Sequence, residues 1–336
     1  MDYAFMQIAD ETQEITRLEK YGVNGKTIYL VKRDNLPFST VEIFSPIDLE
    51  KIYTGNYDAI LRTYRENYAD IKVVEKDSFE AAKGLENPLV MNFASGTHRG
   101  GGFLTGSHAQ EESLCRCSTL YASLIAQAAN KYYEYNRSLH SPLYSDYMLL
   151  SPNVCVFRDA RLNLLAEPYN VAVATVPAPN LRSIKVEKND LVHLMLQRIR
   201  YFLSMVAAKG YKNLVLGAWG CGAFRHNPYD VAGYFHKVLI DEGFAGLFDN
   251  IVFAVVKSNE NLLAFQKIFS SRDNNLLLAL RRKEDEEIFM HLRSIEKIIQ
   301  TKCSRCDTVL GCLGCNLNEM EQDIEHAKKM LGFRNY

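Results

Sequence analysis

The 336-residue sequence carries a single tryptophan and no surplus of either charge, with 39 Lys and Arg against 40 Asp and Glu for a formal net charge of −1. That balance removes the electrostatic footprint of a dedicated, sequence-specific nucleic-acid binder, which needs a strongly basic face. Long apolar runs are missing too. The longest tidy aliphatic stretches, such as 276–280, fall far short of the roughly 20 residues that cross a bilayer. Met1, Asp2 and Tyr3 show neither the basic nor the apolar region of a secretion signal. The expectation is a soluble, cytoplasmic protein with no membrane partner. Internal repeats and low-complexity tracts are absent. At 47% hydrophobic and 24% charged residues, the chain has the means to bury a core and is not disordered.

What is present is alternation. Strands are predicted at 27–32, 41–44, 71–75, 88–94, 154–157, 170–176, 213–216 and 251–257, several of them near-continuous apolar runs of the kind covered on both faces. Helices are predicted between them. In 190–209, Leu191, Leu194, Met195, Ile199, Phe202 and Met205 recur at helical spacing, and Gly210 supplies the stop. Further helices fall at 77–84, 112–126, 230–240 and 260–269. Such alternation predicts an α/β fold with helices on both faces of a mostly parallel sheet. Residues 1–25 read as a helical lead-in and 26–270 as the main domain.

Past Phe269 the character changes. Cys115, Cys117, Cys155 and Cys221 are scattered, but Cys303, Cys306, Cys312 and Cys315 crowd into thirteen residues. Without a secretion signal, thiols or metal ligands are the better reading than disulfides. Two C-x-x-C knuckles five residues apart predict tetrahedral thiolate coordination, most simply of one structural Zn²⁺. An iron–sulfur cluster and idle thiols are the rivals. Ile288, Leu292, Ile295 and Ile299 on one side, and Leu317, Met320, Ile324, Ala327 and Leu331 on the other, have helical spacing. The expectation for 276–336 is a helical hairpin with a four-cysteine tip, a candidate surface for a protein partner.

Two glycine loops follow strands. After 88–94 come Gly96, Gly100, Gly101, Gly102 and Gly106, and then Gln110, Glu111 and Glu112 open a helix. Consecutive glycines let backbone N–H groups approach a ligand closely and admit positive φ. Acids at a helix start are also ordinary, because the helix dipole favours them there. After 213–216 come Gly217, Ala218, Trp219, Gly220, Cys221, Gly222, Ala223 and Phe224, before a helix entered at Asn227 and Pro228. Strand, glycine loop, helix is a geometry that receives phosphate. The Lys-Ser/Thr of a P-loop is lacking, and so is a G-x-G-x-x-G followed by an acid. Nucleotide hydrolysis with magnesium and dinucleotide redox chemistry are therefore rejected. Two loops at strand carboxyl ends suit a diphosphate-bearing ligand.

Gly100, Gly101 and Gly102, seven residues, and then Gln110, Glu111 and Glu112 resemble the signature of poly(ADP-ribose) glycohydrolases of the microbial type. Tyr144 to Asp159, the segment Pro177, Ala178, Pro179 and Asn180, and the second glycine loop agree in order, so the resemblance spans roughly residues 5 to 270. It departs at Arg99, where the family has proline. The four-cysteine segment lies outside the family pattern.

The resemblance implies a macrodomain: a three-layer α/β/α sandwich that binds ADP-ribose and cleaves the ribose–ribose bond of poly(ADP-ribose) on modified proteins, with no cofactor for catalysis. Glu112 would be the catalytic acid, because departure of a glycosidic oxygen requires a proton. Glu111 would hold the hydroxyls of the scissile ribose, and Gln110 would orient the pair. Gly100, Gly101 and Gly102 would line the distal ribose and a phosphate. Gly220, Cys221, Gly222 and Ala223 would offer amides to the diphosphate, with Phe224 against the ribose. Asn92 would reach a ribose hydroxyl or close the loop. Trp219 and the tyrosines at 132, 133, 135, 144 and 147 read more readily as packing than as adenine stackers; His98, Arg99 and His108 read as solvated. Cys221 has no evident base partner and reads as a small residue that fits. A reader that binds ADP-ribose without cutting it and a hydrolase of mono-ADP-ribosyl groups are the alternatives. The Glu111–Glu112 pair favours an enzyme.

Overall fold

The structure is a computed structural model that describes residues 3–63, 69–256 and 259–269, apart from the side chains of 56–63 and 259. Helix α1 (Tyr3–Leu18) buries Ala9, Thr12 and Ile15, one stripe at three-residue spacing. A hairpin follows, β1 (Lys20–Val23) against β2 (Lys26–Tyr29), turned by Asn24 and Gly25 at φ 50° and 74°. An Asn-Gly turn with two positive φ angles has the twist that a hairpin needs. The lead-in expected over 1–25 is therefore helix and then strand.

The remaining elements are β3 (Glu42–Phe44), α2 (Pro46–Thr63), β4 (Asp70–Val74), α3 (Ser78–Ala82), β5 (Pro88–Ala94), α4 (Gln110–Cys117), α5 (Leu120–Leu124), α6 (Asn130–Ser138), β6 (Met148–Arg158) and β7 (Leu164–Pro177). After these come α7 (Lys188–Ala208), β8 (Asn213–Leu216), α8 (Pro228–His236), β9 (Asn250–Ala254) and α9 (Asn259–Phe269). Each expected strand has a counterpart, β6 and β7 being much longer than their apolar cores. The helix expected over 112–126 is two. Ser118 is extended, its hydroxyl donates to Leu114 O at 2.7 Å, and its backbone bridges Val156. Thr119 exchanges bonds with Cys155 of β6 through both its N–H and its hydroxyl. Short hydroxyl side chains offer the backbone an alternative to the helix, and here the sheet takes it.

Seven strands form one sheet in the order β3-β6-β7-β5-β8-β9-β4. The pairs β7–β5, β5–β8, β8–β9 and β9–β4 are parallel, while β3–β6 and β6–β7 are antiparallel. Val90, Val171, Val173 and Val215 face a layer that includes Ala9, Phe79, Leu114, Cys115 and Leu120 from α1, α3, α4 and α5. On the opposite face Phe253 meets Phe235 of α8 edge to face and Phe265 of α9 at a tilt, and α7 packs against α2 and α8. The result is the three-layer α/β/α sandwich with a mostly parallel mixed sheet. Residues 276–336, with the four-cysteine cluster, lie outside the described residues. No helix among the described residues is long and apolar enough to cross a membrane.

Candidate active site

Strand β5 lies at the centre of the sheet between β7 and β8, and the chain leaves neighbouring β5 and β8 in opposite directions. From β5 it passes through α4, α5 and α6 towards β6; from β8 it passes through α8 to β9. The carboxyl ends of two such strands bound the crevice where an open α/β sheet receives its ligand. Both glycine loops rise from this point. Their bases touch, since a Cβ on Gly217 would lie 2.9 Å from the Phe93 ring and 2.5 Å from Ala254 O.

The first loop is pinned from outside. Arg99 donates to Leu124 O and Asn130 Oδ1, each at 2.9 Å, and its guanidinium lies 4.6 Å from the centre of the Tyr133 ring. The residue that departs from the family pattern is therefore an anchor and not a solvated side chain. Buried Arg116 donates to Ser107 O at 2.6 Å and stacks 4.4 Å from Phe5 of α1. His108 lies beside the same ring, its centroid 6.0 Å away.

Within that frame the first turn of α4 delivers three side chains. Gln110 is fully engaged with the sheet: its amide donates to Met91 O and Ser78 Oγ, and its carbonyl accepts from Phe93 N. It clamps helix to strand, which corrects its expected place among ligand-binding residues. Glu111, 3% exposed, accepts from Ser95 N at 2.8 Å and from Asn92 Nδ2 at 3.2 Å. Burial pushes its carboxyl up to about 8; the Ser95 amide opposes this, and the neighbouring Glu112 charge adds to it. Glu112, 8% exposed, accepts from Gly102 N at 2.8 Å through Oε1, while its Oε2 is buried with no hydrogen-bond partner. Asn92 is wholly buried and donates to Thr175 Oγ1 as well as to Glu111, so it supports the acid from beneath. Its own Oδ1 is buried without a hydrogen-bond partner.

The glycines explain themselves by distance. A Cβ on Gly101, at φ 58°, would sit 2.3 Å from Glu112 Oε1 and 3.2 Å from Glu111 Oε2; one on Gly100 would meet the Tyr121 ring and Cys115 Sγ. Only a bare backbone fits over the two carboxyls.

In the second loop Cys221 N donates to Ala218 O, so that amide turns the loop and does not face a ligand. Its thiol is pushed up to about 12 by burial, which makes it no nucleophile. The amides of Gly222, Ala223 and Phe224 donate to no described protein group. The first amides of α8 are already capped by the Asn227 side chain, so the loop and not the helix end is left for an anion. Trp219 is fully buried, donates to Val176 O at 3.0 Å and packs on Phe235, in keeping with a core role. Tyr132 and Tyr133 are buried too.

Three residues not singled out for the site hold its walls. His226 bonds Pro179 O at 2.6 Å through Nε2 and crowds Gly220. Tyr144 lays its ring where a Gly96 Cβ would be and stands 6.1 Å from the Phe224 ring, joining the two loops. Arg198, wholly buried, bonds Asp146, Pro177 O and Leu143 O, fixing the segment that carries Tyr144. Tyr144 lies in the segment Tyr144 to Asp159 and among the tyrosines read as packing, whereas His226 and Arg198 carry no signal of their own in the sequence.

A mixed sheet between helical layers, with two glycine loops at its switch point and two acids on the first turn of a helix, is a macrodomain-like fold. The family model for the microbial-type PARG catalytic domain matches residues 9–159. Poly(ADP-ribose) glycohydrolase from Thermomonospora curvata superposes with TM-score 0.73 at 35% identity, over 80% of this chain and all of that one. The same enzyme bound to the inhibitor ADP-HPD gives 0.72 at 35%, over the same shares. The Deinococcus radiodurans enzyme in complex with ADP-ribose gives 0.63 at 36%, over 70% of this chain and 96% of that one. Comparison with curated proteins gives no match. The chain belongs to the microbial-type poly(ADP-ribose) glycohydrolase family.

Two outcomes follow from this geometry. Gly101→Ala is expected to destabilise the protein by about 1–3 kcal/mol in urea unfolding, whereas Gly222→Ala, whose Cβ would meet nothing within 4 Å, stays within about 0.5 kcal/mol. Glu111 has a folded pKa above its unfolded value, so its contribution to stability is complete at acid pH and fades as pH rises through about 8. Thermal unfolding of Glu111→Gln should therefore gain on wild type between pH 5 and pH 9 (assay values of about that range), and a constant difference would contradict the raised pKa.

Proposed function

We propose that this chain hydrolyses the O-glycosidic ribose–ribose bond of poly(ADP-ribose) and releases ADP-ribose, with Glu112 as general acid and then general base. The observation that carries the assignment is the asymmetry of the Glu112 carboxylate: Gly102 N fixes Oε1, and Oε2 is left without a protein partner at the crevice. Protonated Glu112 gives its proton to the departing ribose oxygen as the glycosidic bond breaks and the sugar acquires oxocarbenium character. The resulting carboxylate takes a proton from water, whose oxygen bonds to the anomeric carbon, and Glu112 is again protonated. Glu111, held neutral below about pH 8 by burial, offers the ribose a hydroxyl donor and an acceptor. The amides of Gly222, Ala223 and Phe224 receive the diphosphate, the Phe224 ring packs on the ribose, and Gly100 to Gly102 line the distal sugar. The setting is cytoplasmic.

Glu112→Gln keeps an acceptor for Gly102 N but has no proton to give. It is expected to lower release of ADP-ribose from poly(ADP-ribose) by about a thousandfold or more, while calorimetric ADP-ribose affinity stays within about threefold. Turnover equal to wild type would remove Glu112 from this role. Release from mono-ADP-ribosylated protein, run alongside, separates the two hydrolase readings.

Cys303, Cys306, Cys312 and Cys315, by their spacing, hold one structural zinc. Among the described residues no cluster of three or more His, Cys, Asp or Glu is placed to hold a metal, and the reaction above is routed through none. Metal analysis should find about one zinc per chain, and chelation should spare ADP-ribose release; visible charge-transfer absorbance would replace zinc with an iron–sulfur cluster.

A further inference from the structure

We infer that the groove beside the base of the first glycine loop is a second anion subsite, which holds the diphosphate of the penultimate ADP-ribose unit while the terminal unit lies between the glycine loops. This rests on the hydrolase reading. The groove is shallow and open to solvent, offers about 360 Å³ and is lined by Thr97, His98, Arg137, His140, Ser141 and Tyr144 among others, with no Asp or Glu in its wall. It borders the site along the base of the first glycine loop. Thr97 stands two residues from Ser95, whose N–H holds Glu111, and Tyr144 covers Gly96.

Its one charged group is a guanidinium, and its donors are largely uncommitted. Arg137 is exposed and makes no ion pair with a described residue; its one bond is from Nη1 to Thr97 O at 3.1 Å. The other donors of a permanently charged fork, matched to phosphate geometry, remain open. The His140 ring has no hydrogen-bond partner among the described residues, and His98 is engaged through Nδ1 with Thr97 Oγ1 alone. In poly(ADP-ribose) the oxygen that leaves belongs to the next unit, so that unit's diphosphate follows within a few bonds. On a chain of net charge −1, a wall of guanidinium and imidazole without an acid is not the average surface. It stands where two more negative charges must pass.

The test compares wild type with Arg137→Gln, His140→Gln and the double variant. Glutamine at 137 keeps a donor for the Thr97 carbonyl but not the charge. With poly(ADP-ribose) as substrate, KM is expected to rise about 5–20-fold in the double variant with kcat within about twofold, and the salt dependence of kcat/KM to become shallower. Calorimetric affinity for free ADP-ribose should not move. An unchanged KM, or ADP-ribose affinity falling in step with KM, would overturn the subsite, the latter by revealing a mere loop prop. An effect seen only with mono-ADP-ribosylated protein would assign the groove to the target protein instead. If wild type releases no ADP-ribose the hydrolase reading fails by itself. Direct binding of poly(ADP-ribose) to the same variants then still decides the groove.

Discussion

Two carboxyl groups on consecutive residues are taken out of water here, neither in an ion pair with a described residue, and the architecture of the crevice answers that constraint. Main-chain N–H groups of Ser95 and Gly102 supply one bond to each acid, and the missing Cβ of Gly101 allows the backbone to come close enough. Amide donors stabilise a carboxylate less than a guanidinium would, so burial still dominates at Glu111 and its proton is retained towards neutral pH. An arginine in the same place would favour the charged form of Glu111 and pull its carboxyl back down.

Four arginines around the crevice are directed at carbonyl groups, Arg137 through a single bond that leaves its other donors open. Arg99 bonds Leu124 O, Arg116 bonds Ser107 O, Arg137 bonds Thr97 O, and Arg198 bonds Pro177 O and Leu143 O. Each ties a loop or strand end around the crevice to a helix. Long glycine-bearing loops have high backbone entropy, and a charge-assisted bond to a main-chain carbonyl is a strong way to order one without adding a side chain to the site. The same division holds elsewhere: Gln110 fixes the helix to β5, Asn92 supports Glu111 from Thr175, and Glu112 Oε2 and Asn92 Oδ1 are the site oxygens left without a partner among the described residues.

Much of this was legible in the residues. Apolar runs such as Pro88–Ala94 and Asn213–Leu216 coincide with their strands, because strands buried on both faces need no polar alternation. The glycine triplet and its two acids, read first as a motif, come together at the site. Other elements were hidden for physical reasons. Helix α2 was not among the predicted helices, although Leu49, Ile52, Tyr53, Tyr57 and Ile60 recur at helical spacing behind a cap in which Ser45 and Asp48 exchange bonds around Pro46. Strand β1 buries only Tyr21. The break in the α4–α5 segment depends on β6 lying close enough to bond Ser118 and Thr119, a contact from far along the chain. His226, Arg198 and Tyr144 belong to the same class, since each acts on backbone remote in sequence.

The two glycine loops use the same residue for opposite purposes. Around Gly100 and Gly101 glycine makes room inward: side chains from α4 and α5 already fill the space where Cβ atoms would go, and both residues sit at positive φ. At Gly222 there is nothing for a Cβ to strike and φ is ordinary, so glycine there leaves amides bare towards solvent. A loop that shapes acids and a loop that presents donors are complementary halves of a site for a sugar joined to a diphosphate. They meet because β5 and β8 are neighbours whose connections diverge. Had the chain left both strands in the same direction, one connecting helix would have covered the gap between them, and neither loop would have had a crevice to line.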